Sequence, residues 1–129
     1  MSGETDLEKI VSGLSPTLLD EEFIFCSFKN IQYGDRAELQ PLAVFAETEG
    51  MTMVISRELA DKHGVDYTSV FRCITLMVHS SLESVGLTAV VSAKLAQQGI
   101  PANIIAGYYH DHIFVESSNA ERARAVLGS

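Results

Sequence analysis

Apolar positions along the chain follow two rhythms. Short β-branched or apolar runs bounded by polar turn residues mark strands: Glu22–Phe28, Leu42–Glu47, Met51–Ile55, Arg72–Val78, Asn103–Tyr108 and His112–Val115. Helical spacing appears between them. Leu7, Ile10, Val11 and Leu14 form an apolar stripe behind a Thr5-x-x-Glu8 capping box, which predicts a helix over 6–12 ended by Gly13 and Pro16. Ser56 is placed to cap a helix over 57–63 that stops at Gly64. Leu87, Val90, Val91 and Leu95 recur at i, i+3, i+4 and i+8, with Gly99 and Pro101 as stop signals. Ala89, Ala93 and Ala96 keep the neighbouring face of that helix thin enough for a sheet or helix to approach. Ser118-x-x-Glu121 is a capping box for a last helix.

The connections complete the pattern. Glu49-Gly50 marks one hairpin turn and Tyr109-His110-Asp111 another, since His and Asp tolerate positive φ. Lys29–Glu38 reads as a polar, flexible loop without helical period, so nothing there is expected to cross over a sheet. Arg72 to Val115 then reads as a β-α-β-β unit, its helix on one face of an antiparallel sheet. The earlier chain is a shortened version of it. The run AETEG-MTMVI-SRELADKHG has the same order of hairpin, strand, capped helix and glycine as GYYHD-HIFVE-SSNAERARAVLG. The match is one of pattern rather than identity, and the first copy lacks a counterpart of the helix over 85–98.

Bulk properties narrow the classes. A chain of 129 residues buries about two-thirds of its unfolded surface and folds without disulfides or metal. Its formal charge of −8, without a Lys/Arg stripe, argues against nucleic acid or an anionic membrane as partner. Cys26 and Cys73 lie far apart in apolar runs and read as reduced core thiols. The start MSGETDLEK is polar and acidic and no long apolar span follows, so a cytoplasmic protein is expected.

Candidate chemistry gathers in the turn Ser80–Gly86. A helix start offers unpaired N–H groups that hold a carboxylate, Gly86 admits close approach, and Glu83 can receive an α-ammonium group. The same residues also suit a purely structural role: Ser80 and Glu83 form a capping box, Ser84 caps equally well a helix starting at Val85, and Gly86 can simply pack on the sheet. His79, His110 and His112, with Asp111 or Glu83, raise a metal site, but His110 falls in the expected turn and no His-Glu-x-x-His spacing occurs. No metal or cofactor is therefore expected. Cys26, Cys73 and Ser80 are the conceivable nucleophiles. Ser80 and its neighbour His79 point apart along a strand end, and there is no Gly-x-Ser-x-Gly elbow or phosphate loop, so no catalysis is expected. Of Tyr108 and Tyr109, one should face the core and the other the open face or a partner, where it can wall a ligand pocket or an interface. Glu47 and Glu49 either line a ligand from the first half or form a solvated acidic turn.

The stretch HSSLESVGLTAVVSAKLAQQGIPANIIAG resembles the ACT-domain signature. Gly86-Leu87 matches its glycine–apolar pair, and Gly99-Ile100 with Asn103-Ile104 matches the helix end and second strand; Val85 departs from it, standing where many ACT sequences have proline. SGETDL, FAETEGMTMVI, ITLMVHSSLESVGLTA and GYYHDHIFV resemble, over nearly the whole chain, small bacterial proteins built of two ACT-like halves. That narrower group is tied to no pathway, though a link to transport has been suggested for some members. The resemblance implies an α+β fold of two ferredoxin-like halves, residues 1–69 and 70–129, with antiparallel sheets, helices on one face and the first half abbreviated. It implies a non-enzymatic regulatory module that binds an amino acid or similar small carboxylate where halves or subunits meet. The carried-over site is Ser80, Ser81, Glu83, Val85, Gly86 and Leu87, with Asn103 and Ile104 on the adjoining strand. The missing helix leaves sheet surface to dock on the second half or on another copy, and a homodimer is expected. The alternatives are a structural or protein-interaction module without ligand, and a small metal-dependent enzyme.

Overall fold

The computed structural model describes residues 13–77 and 86–128. The elements are β1 Pro16–Phe28, β2 Ala43–Glu47, β3 Gly50–Ser56, α1 Arg57–Lys62, β4 Phe71–Leu76, α2 Leu87–Gln97, β5 Asn103–Ala106, β6 Asp111–Glu116 and α3 Ala120–Gly128. Short 3-10 turns cover Ala37–Leu39 and Ser117–Asn119. The helix expected over 6–12 lies outside the described residues, as does Val78. Among the described residues the strands are hydrogen-bonded in the order β2-β3-β1-β4-β6-β5, and the class is α+β as expected. The chain divides into two compact units, Glu21–Phe71 and the remainder, so β1 contributes a segment to each.

β1 begins at Pro16, well before the expected Glu22. Proline is tolerated as a first strand residue, and the acidic pair Asp20-Glu21 interrupts the apolar run without ending the strand. Arg72 pins the early part: its Nε and Nη2 both donate to the Leu19 carbonyl, at 2.9 and 2.7 Å.

In the Glu21–Phe71 unit, β1 and β3 pair antiparallel from Phe23↔Ser56 to Phe28↔Met51, and β2 and β3 from Ala43↔Val54 to Glu47↔Gly50. The hairpin turn is therefore Thr48-Glu49, and Gly50 opens β3 instead of occupying the turn. Gly50 is glycine for space, since a Cβ there would lie 2.6 Å from Ser27 Oγ and 3.1 Å from the Phe28 carbonyl. The core holds Ile24, Leu39, Met51, Met53, Ile55 and Ala60. The segment 29–38, read as a loop, runs into a short 3-10 turn at its end. The 3-10 turn buries Leu39 completely, and Ile31 packs against the same core. Two apolar residues in a polar stretch carry no periodicity, which is why the pattern missed them.

α1 forms as its caps direct: Ser56 Oγ accepts from Leu59 N at 3.2 Å, and Gly64 takes φ 68° while Val65 N reaches back to the Ala60 carbonyl at 2.8 Å. Arg57 ties the helix down, donating to Glu22 Oε1 and to the Tyr67 hydroxyl, both at 3.0 Å; that hydroxyl in turn donates to Asp61 at 2.7 Å.

In the other unit β5 and β6 pair antiparallel from Asn103↔Phe114 to Ala106↔Asp111. The core combines Ile74, Leu76, Ile113 and Val115 from the sheet with Leu87, Val91 and Leu95 from α2, and Ala123 and Leu127 from α3. β4 and β6 also bury residues of the opposite parity, Cys73, Thr75 and Phe114. On α2 the alanines do not face a neighbour: Ala89, Ala93 and Ala96 are exposed. They lie about 180–240° around the axis from Leu87, opposite the buried row. The helix ends at Gly99, φ 69°, with Ile100 N bonded to the Leu95 carbonyl at 3.0 Å. Arg122 Nη1 donates to the Gln98 carbonyl at 2.9 Å, joining α3 to that end. Ser118 lies inside the 3-10 turn that leads into α3 rather than at a helix cap. No helix among the described residues is long and apolar enough to cross a membrane.

Candidate functional site

The start of α2 differs from that of α1. Gly86 occupies the N-cap position with φ 102° and ψ −24°, a left-handed conformation that strains any side-chain-bearing residue. It offers no side-chain acceptor, and the first turn of α2 carries no acidic residue. α1 has both, Ser56 as cap and Glu58 in its first turn. The Gly86 carbonyl accepts from Val90 N at 2.8 Å, so the helical ladder is in place from its first residue. Leu87 is 4% exposed and anchors this end in the core. The result is a fixed helix start whose leading N–H groups receive nothing from the cap side chain, an arrangement that favours an anion.

Of the expected site residues, Ser80, Ser81, Glu83 and Val85 lie outside the described residues. Leu87 and Ile104 belong to the same core, Ile104 half-buried against it. Asn103 is exposed on β5, the strand at one end of the sheet order.

The β5–β6 turn falls earlier than expected, because Ala106 pairs with Asp111 and leaves Gly107–His110 as the connection. Both tyrosines are therefore at the tip, Tyr108 76% and Tyr109 64% exposed, with rings edge to face at 5.1 Å. Neither faces the core, which corrects the alternation expected of a strand. His79 lies outside the described residues. His110 Nδ1 is buried without a hydrogen-bond partner among the described residues, and His112 Nδ1 is hydrogen-bonded to Thr75 Oγ1 at 2.9 Å. Burial, then the neighbouring His110, pushes the His112 pKa down, while Asp111 opposes the shift. Gly107 makes room for this cluster, since a Cβ there would come within 2.9 Å of the His110 carbonyl and 3.2 Å of His112 Nε2. Among the described residues no group of three His, Cys, Asp or Glu could hold a metal ion. Burial pushes the thiols of Cys26 and Cys73 up, the opposite of what a nucleophilic cysteine requires.

The sequence pattern missed a cavity of about 240 Å³ in the Glu21–Phe71 unit, beside Met51 and Met53. Its apolar walls come from a loop and from alternate strand residues that read simply as core. Glu47 and Glu49 are exposed at a neighbouring recess, and Glu47 accepts a hydrogen bond from Thr52 Oγ1.

Residues 2–72 match one family model described as ACT domain, and residues 68–129 match a second with the same description. A crystal structure of a Vibrio cholerae protein of unknown function, titled a possible transport protein, shares 47% identity with this chain at TM-score 0.90, covering 100% of this chain and 98% of that one. An Agrobacterium tumefaciens protein superposes with TM-score 0.68 at 14% identity, over 87% of this chain and 84% of its own. The regulatory subunit of aspartate kinase from Thermus thermophilus superposes with TM-score 0.61 at 10% identity, over 90% and 95%. These last two likenesses are of fold. No curated protein matches the chain.

Proposed function

The chain belongs to the ACT-domain family, and from that premise we propose that it is a non-catalytic regulatory module binding an amino acid or similar small carboxylate at the start of α2. ACT domains are regulatory modules that typically take small molecules. The observation that carries the reading is Gly86, a left-handed N-cap without a capping side chain ahead of a helix with no acid in its first turn. A ligand carboxylate supplies the acceptor that α1 takes from its own Ser56. Ser80, Ser81 and Val85 complete the turn in this reading, Glu83 receives the α-ammonium group, and Asn103 and Ile104 border the site from β5. The aspartate kinase neighbour is itself a regulatory subunit, which supports regulation as the role. A cytoplasmic homodimer is the assembly this reading carries with it. Leu42 beside β2 and Phe45 on it, 70% exposed at one end of the strand order, are apolar surface of the kind a second copy covers.

The test is thermal denaturation of the full chain against the twenty amino acids. A ligand at about a hundred times its dissociation constant adds roughly 2.7 kcal/mol, a shift of several degrees. Gly86→Val should remove that response while circular dichroism still reports a folded chain. Unchanged ligand affinity in that variant takes the helix start out of the site. If no amino acid moves the midpoint, a protein-interaction module without ligand replaces this reading.

A further inference from the structure

The loop between β1 and β2 holds an unusual backbone. Asn30, Arg36 and Gln40 take φ values of 59°, 62° and 47°, and Gly34 takes 97°. Asparagine enters this region readily, but arginine and glutamine do so only when their surroundings hold them there. Buried Leu39 does so here, as does Arg36, whose guanidinium lies 4.6 Å from the Phe28 ring centroid and pairs with Glu38 at 2.8 Å. Gln32 N donates to the Asp35 carboxylate at 2.8 Å and tightens the turn that carries Tyr33 and Gly34.

This loop does not close completely on the sheet. The cavity of about 240 Å³ beside it is walled by Ala37 and Pro41 from the loop side and by Val44, Met51 and Met53 from β2 and β3. Tyr33, 86% exposed, borders it with Gly34, and Asp35 is the one charged residue in its wall. An apolar cavity of about 150 Å³ admits a benzene ring, so this space holds a compact body of roughly eight to ten non-hydrogen atoms. Methionine walls adapt to the shape of what enters. The charge points one way. Asp35 repels a carboxylate and attracts an ammonium group, in a chain of net charge −8. The neighbouring recess, which shares Met51, sets Glu47 and Glu49 against the single Lys29.

We propose that the cavity between the 29–41 loop and strands β2 and β3 is a second small-molecule site, selective for a compact apolar amine. Its apolar body rests on Met51, Met53 and Val44, and its ammonium group faces Asp35. The site uses none of the residues around Gly86 and prefers the opposite ligand charge, so it stands or falls independently of the carboxylate reading.

Methionine-methyl NMR of the full chain tests it, with phenethylamine and phenylacetate as probes of one shape and opposite charge. Phenethylamine should shift the Met51 and Met53 methyls saturably and leave Met77 unmoved. It should bind at least about fivefold more tightly than phenylacetate. Asp35→Asn keeps an oxygen for Gln32 N and should reduce that preference to about twofold or less. Ala37→Phe should fill the space and abolish the shifts, whereas Gly86→Val should leave them intact. Equal binding of the two probes, the absence of saturable shifts at Met51 and Met53, or an undiminished preference in Asp35→Asn overturns the proposal. If Ala37→Phe fails to fold, Asp35→Asn decides alone.

Discussion

At His112, one residue into β6 from the hairpin connection, a single imidazole is half-buried beside the sheet. Its Nδ1 is engaged by Thr75 Oγ1, a group only 7% exposed, while burial and His110 disfavour its charged form. The folded-state pKa therefore lies below the ordinary value of 6.5. As pH falls through 6.5 the unfolded chain takes up this proton first, so stability declines; the decline stops once pH is below the folded-state value. Urea midpoints measured between about pH 8 and pH 5 should fall less in His112→Gln than in the native chain. Identical profiles would mean that His112 titrates alike in both states. Gly107→Ala tests the same cluster sterically. Its Cβ would meet the His110 carbonyl at 2.9 Å, so the variant should lose about 1–3 kcal/mol in denaturant unfolding. A neutral substitution would show that the turn relaxes freely.

At the scale of elements, the helices are built from local signals, but their faces are chosen by packing. Ser56→Ala removes the acceptor for Leu59 N and should destabilise by about 1 kcal/mol. Leu95→Ala opens a hole in the α2 core and should cost about 2–5 kcal/mol, whereas Ala93→Ser on the exposed side should be nearly silent. Equal effects at residues 93 and 95 would contradict the burial of that face. The strands were less legible. β1 runs through Asp20-Glu21, where alternation breaks down, and only its two sets of partners explain its length. In the last hairpin, Tyr108 and Tyr109 resemble strand residues in composition, yet the register Ala106↔Asp111 places them at the tip.

At the scale of the molecule, the acidic balance and the absence of a basic stripe bear on partners rather than on fold. The homodimer reading predicts a light-scattering mass twice that of the 14.1 kDa chain, and Phe45→Lys should lower the proportion of dimer. A single-chain mass at high concentration would remove it. As for the candidate sites, Gly86 could be singled out from sequence because a glycine ahead of an amphipathic run is a local feature. The cavity beside Met51 and Met53 could not, because it is an empty space between a loop and a sheet, and no residue type encodes it.

The amino-acid sequence by itself determined the order of the strands and helices among the described residues, the Ser56 cap and the Gly64 and Gly99 stops. Each rests on neighbours a few residues apart, whose propensities act before any long-range contact forms. Tertiary structure alone decided how far β1 extends, where the β5–β6 turn falls, that Leu39 joins the core of the Glu21–Phe71 unit and that α2 turns its alanines to solvent. Each of these depends on which distant surfaces become available for burial and pairing, a quantity that exists only once the chain has closed on itself.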